Sequence, residues 1–172
     1  MRFPWQRDAP KPPRLTIELV PRTCWYSNVR SEVSPAVWDA IRKPVYRAAR
    51  WTCEICGTKP NRPVEAHEVW QYDDVTHVQR LVRMIALCPD CHGVKHIGHS
   101  AHEGRAEQAE RHLRRVNGWN RQQTDEYIEN AFTLWAVRST HDWTLDLSIL
   151  RFYGVTPPVA PTRQQRQVSA AG

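Results

Sequence analysis

The chain has 172 residues, of which 41% are hydrophobic and 24% are charged, so it can bury a core and has the size of one domain with tails. No run approaches the roughly 18 apolar residues of a membrane span, and the first residues lack the apolar stretch of a secretory signal, which predicts a cytoplasmic protein without membrane contact. A net charge of +6, five cysteines and this composition exclude a membrane protein, a disulfide-rich secreted mini-protein and a fully disordered chain.

Composition and periodicity divide the chain into five segments. Prolines and cations dominate the first, helical spacing and alternation fill the middle three, and the last lacks core-forming residues. In chain order these are a mobile, basic, proline-rich arm over 1–14, an N-terminal strand and helices over 15–52, a cysteine-bearing core over 53–98, a helical region over 99–154 and a disordered tail over 155–172.

The segment before the first cysteine pair predicts one strand and two helical pieces. Apolar residues alternate weakly over Leu15–Val20, which indicates a strand. Ser34 is a typical N-cap and precedes a proline, so a helix begins there. Pro44 cannot continue that helix without a kink, so a second helical piece is expected from there to about Trp51. Cys24 is expected to be a small buried hydrophobe.

The core segment predicts a long-looped hairpin followed by a short helix. Val64–Trp70 has the character of a strand, and the apolar residues of Gln79–Leu87 alternate between two faces. These two segments are expected to pair as a hairpin. A short helix should begin at Pro89 or Asp90 and end at about Gly98.

The region after the core predicts two helices and a returning strand. Apolar residues from Ala106 onward fall at helical spacing, and Gly118 stops that helix. Thr124 could cap another helix, and a strand is expected over Trp143–Leu147. The expected buried face of the second helix consists of Ile128, Ala131, Phe132 and Trp135.

Two pairs of cysteines form the strongest signal in the sequence. They are Cys53 with Cys56 and Cys88 with Cys91, each pair separated by two residues. One such knuckle presents two thiolates to an ion, and two knuckles complete the tetrahedral site of four sulfurs that zinc prefers. That site has no open position, so its role would be structural. The alternative is four ordinary buried cysteines.

Three histidines could hold a second metal ion beside the cysteines. His92 and His96 are four residues apart and share one face of a helix, and His67 could reach the same ion from the first hairpin strand. Three protein ligands with an open position are what a catalytic metal requires. Alternatively, the helical pair are polar residues beside the cysteines. The other histidines expected to face solvent are His77, His99, His102 and His112.

The segments CEICG, VEAHEVW and LVRMIALCPDCHGVKHIG resemble the zinc-bearing branch of the HNH nucleases, and residues 15–153 resemble small bacterial proteins filed as HNH endonucleases. The resemblance implies an α+β fold with a ββα-metal (HNH) core, stapled by a four-cysteine zinc site and flanked by helices. It implies a metal-dependent endonuclease that hydrolyses DNA phosphodiester bonds, nicking with weak sequence preference. The alternatives are a non-catalytic, zinc-stabilised nucleic-acid-binding module and an RNA-cleaving toxin or defence nuclease.

The family's roles can be carried onto individual residues of this sequence. His67, His92 and His96 become ligands of the catalytic metal, and the catalytic set is His67, Glu68 and His92, with Glu68 in the position of the general base. The family usually has histidine at the base position and asparagine where Arg83 stands. Adjacent strand residues face opposite ways, so His67 and Glu68 can share a site only at a strand end or bulge. A shift of one residue would make His67 the base and leave the metal short of a ligand.

The implied cofactors are a structural Zn²⁺ and a catalytic divalent ion, which could be Mg²⁺, Mn²⁺, Ni²⁺ or Zn²⁺. The implied partner is DNA, with RNA as the alternative, and the protein would act as a monomer or homodimer. Arginines outnumber lysines 20 to 4, which suits phosphate contacts, although a GC-rich coding bias would give the same ratio. The candidate nucleic-acid-binding residues are Arg50, Arg62, Arg83 and Lys95.

Overall fold

The structure is a computed structural model that describes residues 12–24 and 28–156. Most of the expected arm, residues 1–11, and most of the expected tail, residues 157–172, lie outside the described residues. The described chain is of the α+β class. Its helices are α1 (Val29–Glu32), α2 (Pro35–Ala48), α3 (Pro89–Lys95), α4 (Ile97–His102), α5 (Ala106–Asn117) and α6 (Arg121–Arg138), and its strands are β1 (Glu65–Asp73), β2 (Val78–Leu87) and β3 (Thr144–Asp146). Short 3-10 turns cover Arg22–Cys24 and Ser148–Tyr153.

Strands β1 and β2 form the antiparallel hairpin that the alternation predicts. Both strands extend further than expected, so the turn between them covers only residues 74–77. The Asp73 carboxylate closes this turn, because it accepts hydrogen bonds from the amides of Val75 (2.9 Å) and Thr76 (3.0 Å). Strand β3 lies within the segment expected over Trp143–Leu147 and joins β2 in parallel.

The hairpin lies between two apolar cores. One face packs on α3 and α5, and the buried side chains there include Ile85, Leu87, Val94 and Leu113. The other face packs on α2 and the C-terminal 3-10 turn, with Ile41, Val45, Met84, Ala86 and Leu150 among its buried side chains. Because successive strand residues point to opposite faces, both layers are filled from the same two strands. The hairpin is therefore held from both sides, which gives its side chains fixed positions.

The helices that follow the hairpin lie close to their predicted places. The short helix expected to run past His96 is divided at that residue into α3 and α4, since His96 has φ −107° and ψ 47°. Helix α5 ends before Gly118, whose φ of +67° is the left-handed conformation that makes glycine a helix stop. No helix in the described part of the chain has the length and apolar character needed to cross a membrane.

Helix α6 differs from its prediction at its start and along its face. It begins after Asn120 and not at Thr124, because the side chains of Asn120 and Gln123 form a capping box with the first backbone amides. The face expected to be buried is only partly covered, and Phe132 is 36% exposed. This face packs on the N-terminal segment, to which Trp135 donates a hydrogen bond at the carbonyl of Val20 (2.9 Å).

The strand expected over Leu15–Val20 is not formed. Leu15 and Ile17 are buried as the alternation requires, but the backbone of the segment pairs with no strand. Its partners are the carbonyl of Lys95, which accepts from the amide of Glu18 (3.0 Å), and the side chain of Asn117. The segment packs against helices, which present no row of free backbone groups, so no ladder can form.

The break expected at Pro44 is also absent, because α2 continues through it to Ala48. The helix start is confirmed, with the Ser34 hydroxyl accepting a hydrogen bond from the amide of Val37 (3.4 Å). Proline removes the bond to the carbonyl of Ala40. Both Ala40 and Pro44 are exposed, so water can serve that carbonyl and the helix survives. Cys24 is buried, as expected.

Candidate metal centres

The four cysteines of the two knuckles come together in one group that could hold a metal ion. Three of them are buried, and Cys56 is partly exposed. Four sulfurs arranged as a tetrahedron about 2.3 Å from one ion lie about 3.8 Å apart. The sulfurs of Cys56 and Cys88 are 3.7 Å apart, which fits such a tetrahedron.

Backbone bonds attach both knuckles to the hairpin and to α3. In the first knuckle the amide of Glu54 donates to the carbonyl of Ala86 (2.9 Å), and the Glu54 carboxylate accepts from the amide of Ala86 (2.6 Å). Gly57 closes this knuckle with φ +76°. In the second, Cys88 is the N-cap of α3, and its sulfur accepts from the amide of Cys91 (3.4 Å). The thiols are thus fixed by secondary structure.

The thiols of this group influence one another's ionisation. Hydrogen bonds from Cys88 and Cys91 hold the pKa of Cys53 well below its usual range. Their proximity to Cys53 raises the pKa of Cys88 to about 12 and also raises the pKa of Cys91. These three sulfurs can therefore become thiolates together only when a cation compensates their charge. The donor set fits a metal ion such as zinc.

His112 touches this group from α5 and is buried, contrary to the expectation that it faces solvent. Its Nδ1 accepts a hydrogen bond from the guanidinium of Arg115 (2.7 Å), so its Nε2 carries the proton. That Nε2 lies 3.1 Å from the sulfur of Cys91 and donates to it. Donation to sulfur supports a thiolate and so favours a bound cation.

His67, His92 and His96 form the second group that could hold a metal ion, as the spacing predicts. One ligand atom from each lies within 4.8 Å of the other two. The centroid of the His67 ring is 5.4 Å from that of His92 and 5.1 Å from that of His96. His67 comes from β1, His92 from α3, and His96 from the junction of α3 and α4. The hairpin and the short helix thus converge on one position.

Two of these imidazoles are neutral at neutral pH. Burial lowers the pKa of His67, although the nearby Glu18 carboxylate opposes this. Burial, together with the neighbouring His67 and His92, lowers the pKa of His96 to about 3. Neutral imidazole is the form that binds metal. His92 is partly exposed, so the centre has access to solvent on that side.

Two of the three histidines have a carboxylate in contact with one ring nitrogen. Glu65 lies on the same face of β1 as His67, and one of its carboxylate oxygens contacts Nδ1 of His92. An oxygen of Glu18 lies 2.9 Å from Nε2 of His67. Strand alternation could have identified Glu65. Glu18 could not have been identified from spacing, because it lies 49 residues before His67.

Glu68 does not join the three histidines. It pairs across the hairpin with Met84 and faces the α2 layer, whereas His67 pairs with Ile85 and faces α3. The only bulge of the hairpin register lies between Val69 and Trp70, beyond both residues. The Glu68 carboxylate accepts a hydrogen bond from the amide of Val29 (2.8 Å), and burial raises its pKa to about 7.

The candidate nucleic-acid-binding residues have different surroundings. Arg50 and Arg62 are exposed, and Arg83 is exposed with a hydrogen bond to Glu54 (3.4 Å). Lys95 is buried, and its ammonium binds Glu18 and Thr16. A cavity of about 770 Å³ lies beside α5, and its lining includes Asp90, Arg111, Arg114, Arg115 and Trp119 but none of the three histidines. The cationic side chains are therefore distributed over several faces.

Comparison with known proteins assigns no family or function to this chain. Neither protein-family models, nor curated proteins, nor solved structures give a match to this chain. The two groups of metal-binding side chains therefore have to be interpreted from their own geometry.

Proposed function

We propose that this protein is a metal-dependent endonuclease of the HNH type that hydrolyses DNA phosphodiester bonds and nicks one strand at a time. The observation that carries the proposal is that α3 contributes to both groups of candidate ligands. Cys88 and Cys91 at its start belong to the four-cysteine group. His92 within it and His96 at its end belong to the group that includes His67 of the hairpin. The proposal takes this hairpin and helix, arranged around three histidines, as the ββα-metal core that the resemblance implies.

In this proposal the two groups have different tasks. The four thiolates hold a structural zinc, which leaves no open position and fixes α3 against the hairpin. The three histidines would hold a divalent ion, which would supply Lewis-acid chemistry at a phosphodiester. The protein's part is to hold the three imidazoles in fixed orientations, with His67 and His96 neutral.

Phosphate contacts are assigned to exposed cations. Arg50, Arg62 and Arg83 present guanidinium groups that can bind phosphate oxygens in pairs. Lys95 does not suit this task while its ammonium is buried against Glu18, so we assign it to the metal centre. In this proposal no element of the protein contacts base edges, so weak sequence preference is expected.

A plasmid assay tests the proposal. Supercoiled DNA is incubated with Mg²⁺, Mn²⁺, Ni²⁺ or Zn²⁺, with and without EDTA, and conversion to the open circle is measured. We expect metal-dependent nicking that falls by about 100-fold or more in His67→Ala and in His92→Ala, because each loses a metal ligand. His102→Ala, which changes an exposed histidine of α4, is the matched control and should cut like the wild type.

The position of Glu68 favours a second candidate function. With its carboxylate turned to the α2 layer, the site lacks the base that the family supplies at this point. The chain would then be a zinc-stabilised nucleic-acid-binding module without cleavage. This alternative would be favoured if the protein retards DNA in a gel but does not nick it with any of the four metals. His67→Ala cutting as fast as the wild type would show that the proposed site is misplaced. A parallel assay on structured RNA distinguishes the third alternative, an RNA-cleaving nuclease.

A further inference from the structure

The Glu18 carboxylate occupies a defined position behind His67, although it lies outside the cysteine and histidine motif. One of its oxygens is 2.9 Å from Nε2 of His67, whose side chain is only 3% exposed. Glu18 does not belong to the group of ligand atoms that lie within 4.8 Å of one another. Its carboxylate therefore contacts one nitrogen of the His67 ring and is not one of the candidate ligands.

Lys95 holds this carboxylate from two directions. Its ammonium forms a buried ion pair with the second oxygen of Glu18 and a hydrogen bond to the hydroxyl of Thr16 (2.7 Å). Its backbone carbonyl accepts a hydrogen bond from the amide of Glu18 (3.0 Å). The buried ion pair with this ammonium keeps the Glu18 carboxylate ionised, and the hydrogen bond of the Glu18 amide holds it in place.

An ionised carboxylate can only accept hydrogen bonds, which decides where the proton of His67 lies. Neutral imidazole carries one N–H, so contact with Glu18 puts that proton on Nε2 and leaves the lone pair on Nδ1. A carboxylate oxygen of Glu65 contacts Nδ1 of His92. Two of the three rings thus have a carboxylate on one nitrogen. Carboxylates behind metal-bound histidines orient the ring and raise its basicity.

We propose that Glu18 is a positioning residue that orients His67, so that Nδ1 of His67 is the atom presented to a divalent cation shared with His92 and His96. This inference rests on the proposed metal centre at the three histidines. It extends the functional unit beyond the motif to the segment before α1. Lys95 belongs to the same arrangement, because it neutralises and holds the buried carboxylate.

The test is the affinity of the histidine centre for Ni²⁺, measured by calorimetry on full-length protein that retains the metal of its cysteine group. Glu18→Gln keeps the size of the side chain and removes its charge. We expect it to weaken Ni²⁺ binding by about 10- to 100-fold, the usual effect of losing a carboxylate partner of a metal-bound histidine. Glu107→Gln, an equal change of charge at an exposed carboxylate of α5, should bind like the wild type.

A second measurement on the wild type is independent of whether the variant folds. Nitrogen NMR of the imidazoles without added Ni²⁺ should show His67 protonated at Nε2 and unprotonated at Nδ1, with the pattern weakened in Glu18→Gln. The opposite tautomer in the wild type, or unchanged Ni²⁺ affinity in folded Glu18→Gln, would overturn this inference alone. A wild-type protein in which the histidines bind no divalent metal would overturn the proposed function and this inference together.

Discussion

His67 and Glu68 are neighbours in the chain but serve opposite layers of the molecule. The ring of His67 faces α3, whereas the carboxylate of Glu68 binds the amide of Val29 at the start of α1. A carboxylate at the first turn of a helix stabilises that turn through its free amides. The geometry therefore favours a structural role for Glu68 over the general-base role implied by the resemblance, which stays a prediction.

Glu68→Gln separates these two roles. Glutamine keeps the acceptor for the amide of Val29, so we expect plasmid nicking to stay within about threefold of the wild-type rate if the role is structural. Rates measured between pH 6 and 9, with each of the metals, check this. A loss of about 100-fold or more in a variant that still folds and binds metal would instead establish the carboxylate as the base.

Among the elements, the hairpin and the end of α5 were predicted correctly from local signals. The hairpin follows from alternation, and the end of α5 follows from the left-handed conformation of Gly118. The start of α6 was misplaced because Thr124 is a good N-cap in isolation, whereas the reciprocal bonds of Asn120 and Gln123 stabilise an earlier start. The absent strand at Leu15–Val20 has the right alternation, but no strand lies beside it, which alternation cannot reveal.

Helix α6 is attached to the hairpin turn by an ion pair with defined geometry. Arg138 donates two hydrogen bonds of 2.7 Å to the carboxylate of Asp74, and its guanidinium lies 4.4 Å from the ring centre of Tyr72. The hydrogen bond from Arg138 lowers the pKa of Asp74 below its ordinary value of 3.8. The carboxylate is about half exposed, so solvent screening limits what the pair contributes.

Asp74→Asn should lower the free energy of unfolding by about 0.5 to 1 kcal/mol at pH 7. The folded-state pKa is depressed, so the contribution is present above pH 4 and is lost as the pH falls through the folded value. Urea unfolding of both proteins at pH 7 and near pH 3 measures this, and the difference should be smaller at the lower pH. Asp125→Asn, which loses a longer and more exposed contact to Arg121 (3.7 Å), should change little. An equal difference at both pH values would contradict the assignment.

At the scale of the whole molecule, the four-cysteine group lies within the core on the α3 side of the hairpin. Cys53, Cys88 and Cys91 pack among the same buried side chains as Ile85 and Leu113. We expect the isolated protein to carry one tightly held zinc per chain, and its removal by a chelator to abolish the cooperative thermal transition. Structural zinc binds with about 10–16 kcal/mol in small peptides, which is comparable to the stability of a domain. Metal analysis and near-UV circular dichroism measure both.

The control for metal removal is the protein with His67→Ala and His92→Ala together. It should retain its zinc and its fold, because the second group lies at the boundary of α3 and the hairpin and not within the sulfur cage. A chelated protein that unfolds at the same temperature as the untreated one would show that the sulfurs hold no structural ion.

The candidate site was predictable only in part. Spacing identified the four cysteines and three histidines, because ligands two or four residues apart are fixed by local geometry. The roles of Glu18 and His112 were not predicted, because each contacts a partner far away in the sequence. Glu18 is 49 residues from His67, and His112 is 21 residues from Cys91. Such contacts depend on how the elements pack, and a single sequence carries no local mark of them.

A fragment that is to carry the histidine centre into another protein must include the segment around Glu18. Leu15 and Ile17 are buried in the same core as Val94 of α3, and Asn117 at the end of α5 holds the backbone of Arg14 and Leu15 through three hydrogen bonds. A graft restricted to residues 53–98 would bring every cysteine and histidine of the motif to a new scaffold. It would leave behind the apolar side chains of Leu15 and Ile17 and the carboxylate that contacts His67. The transferable unit is therefore larger than the cysteine and histidine motif.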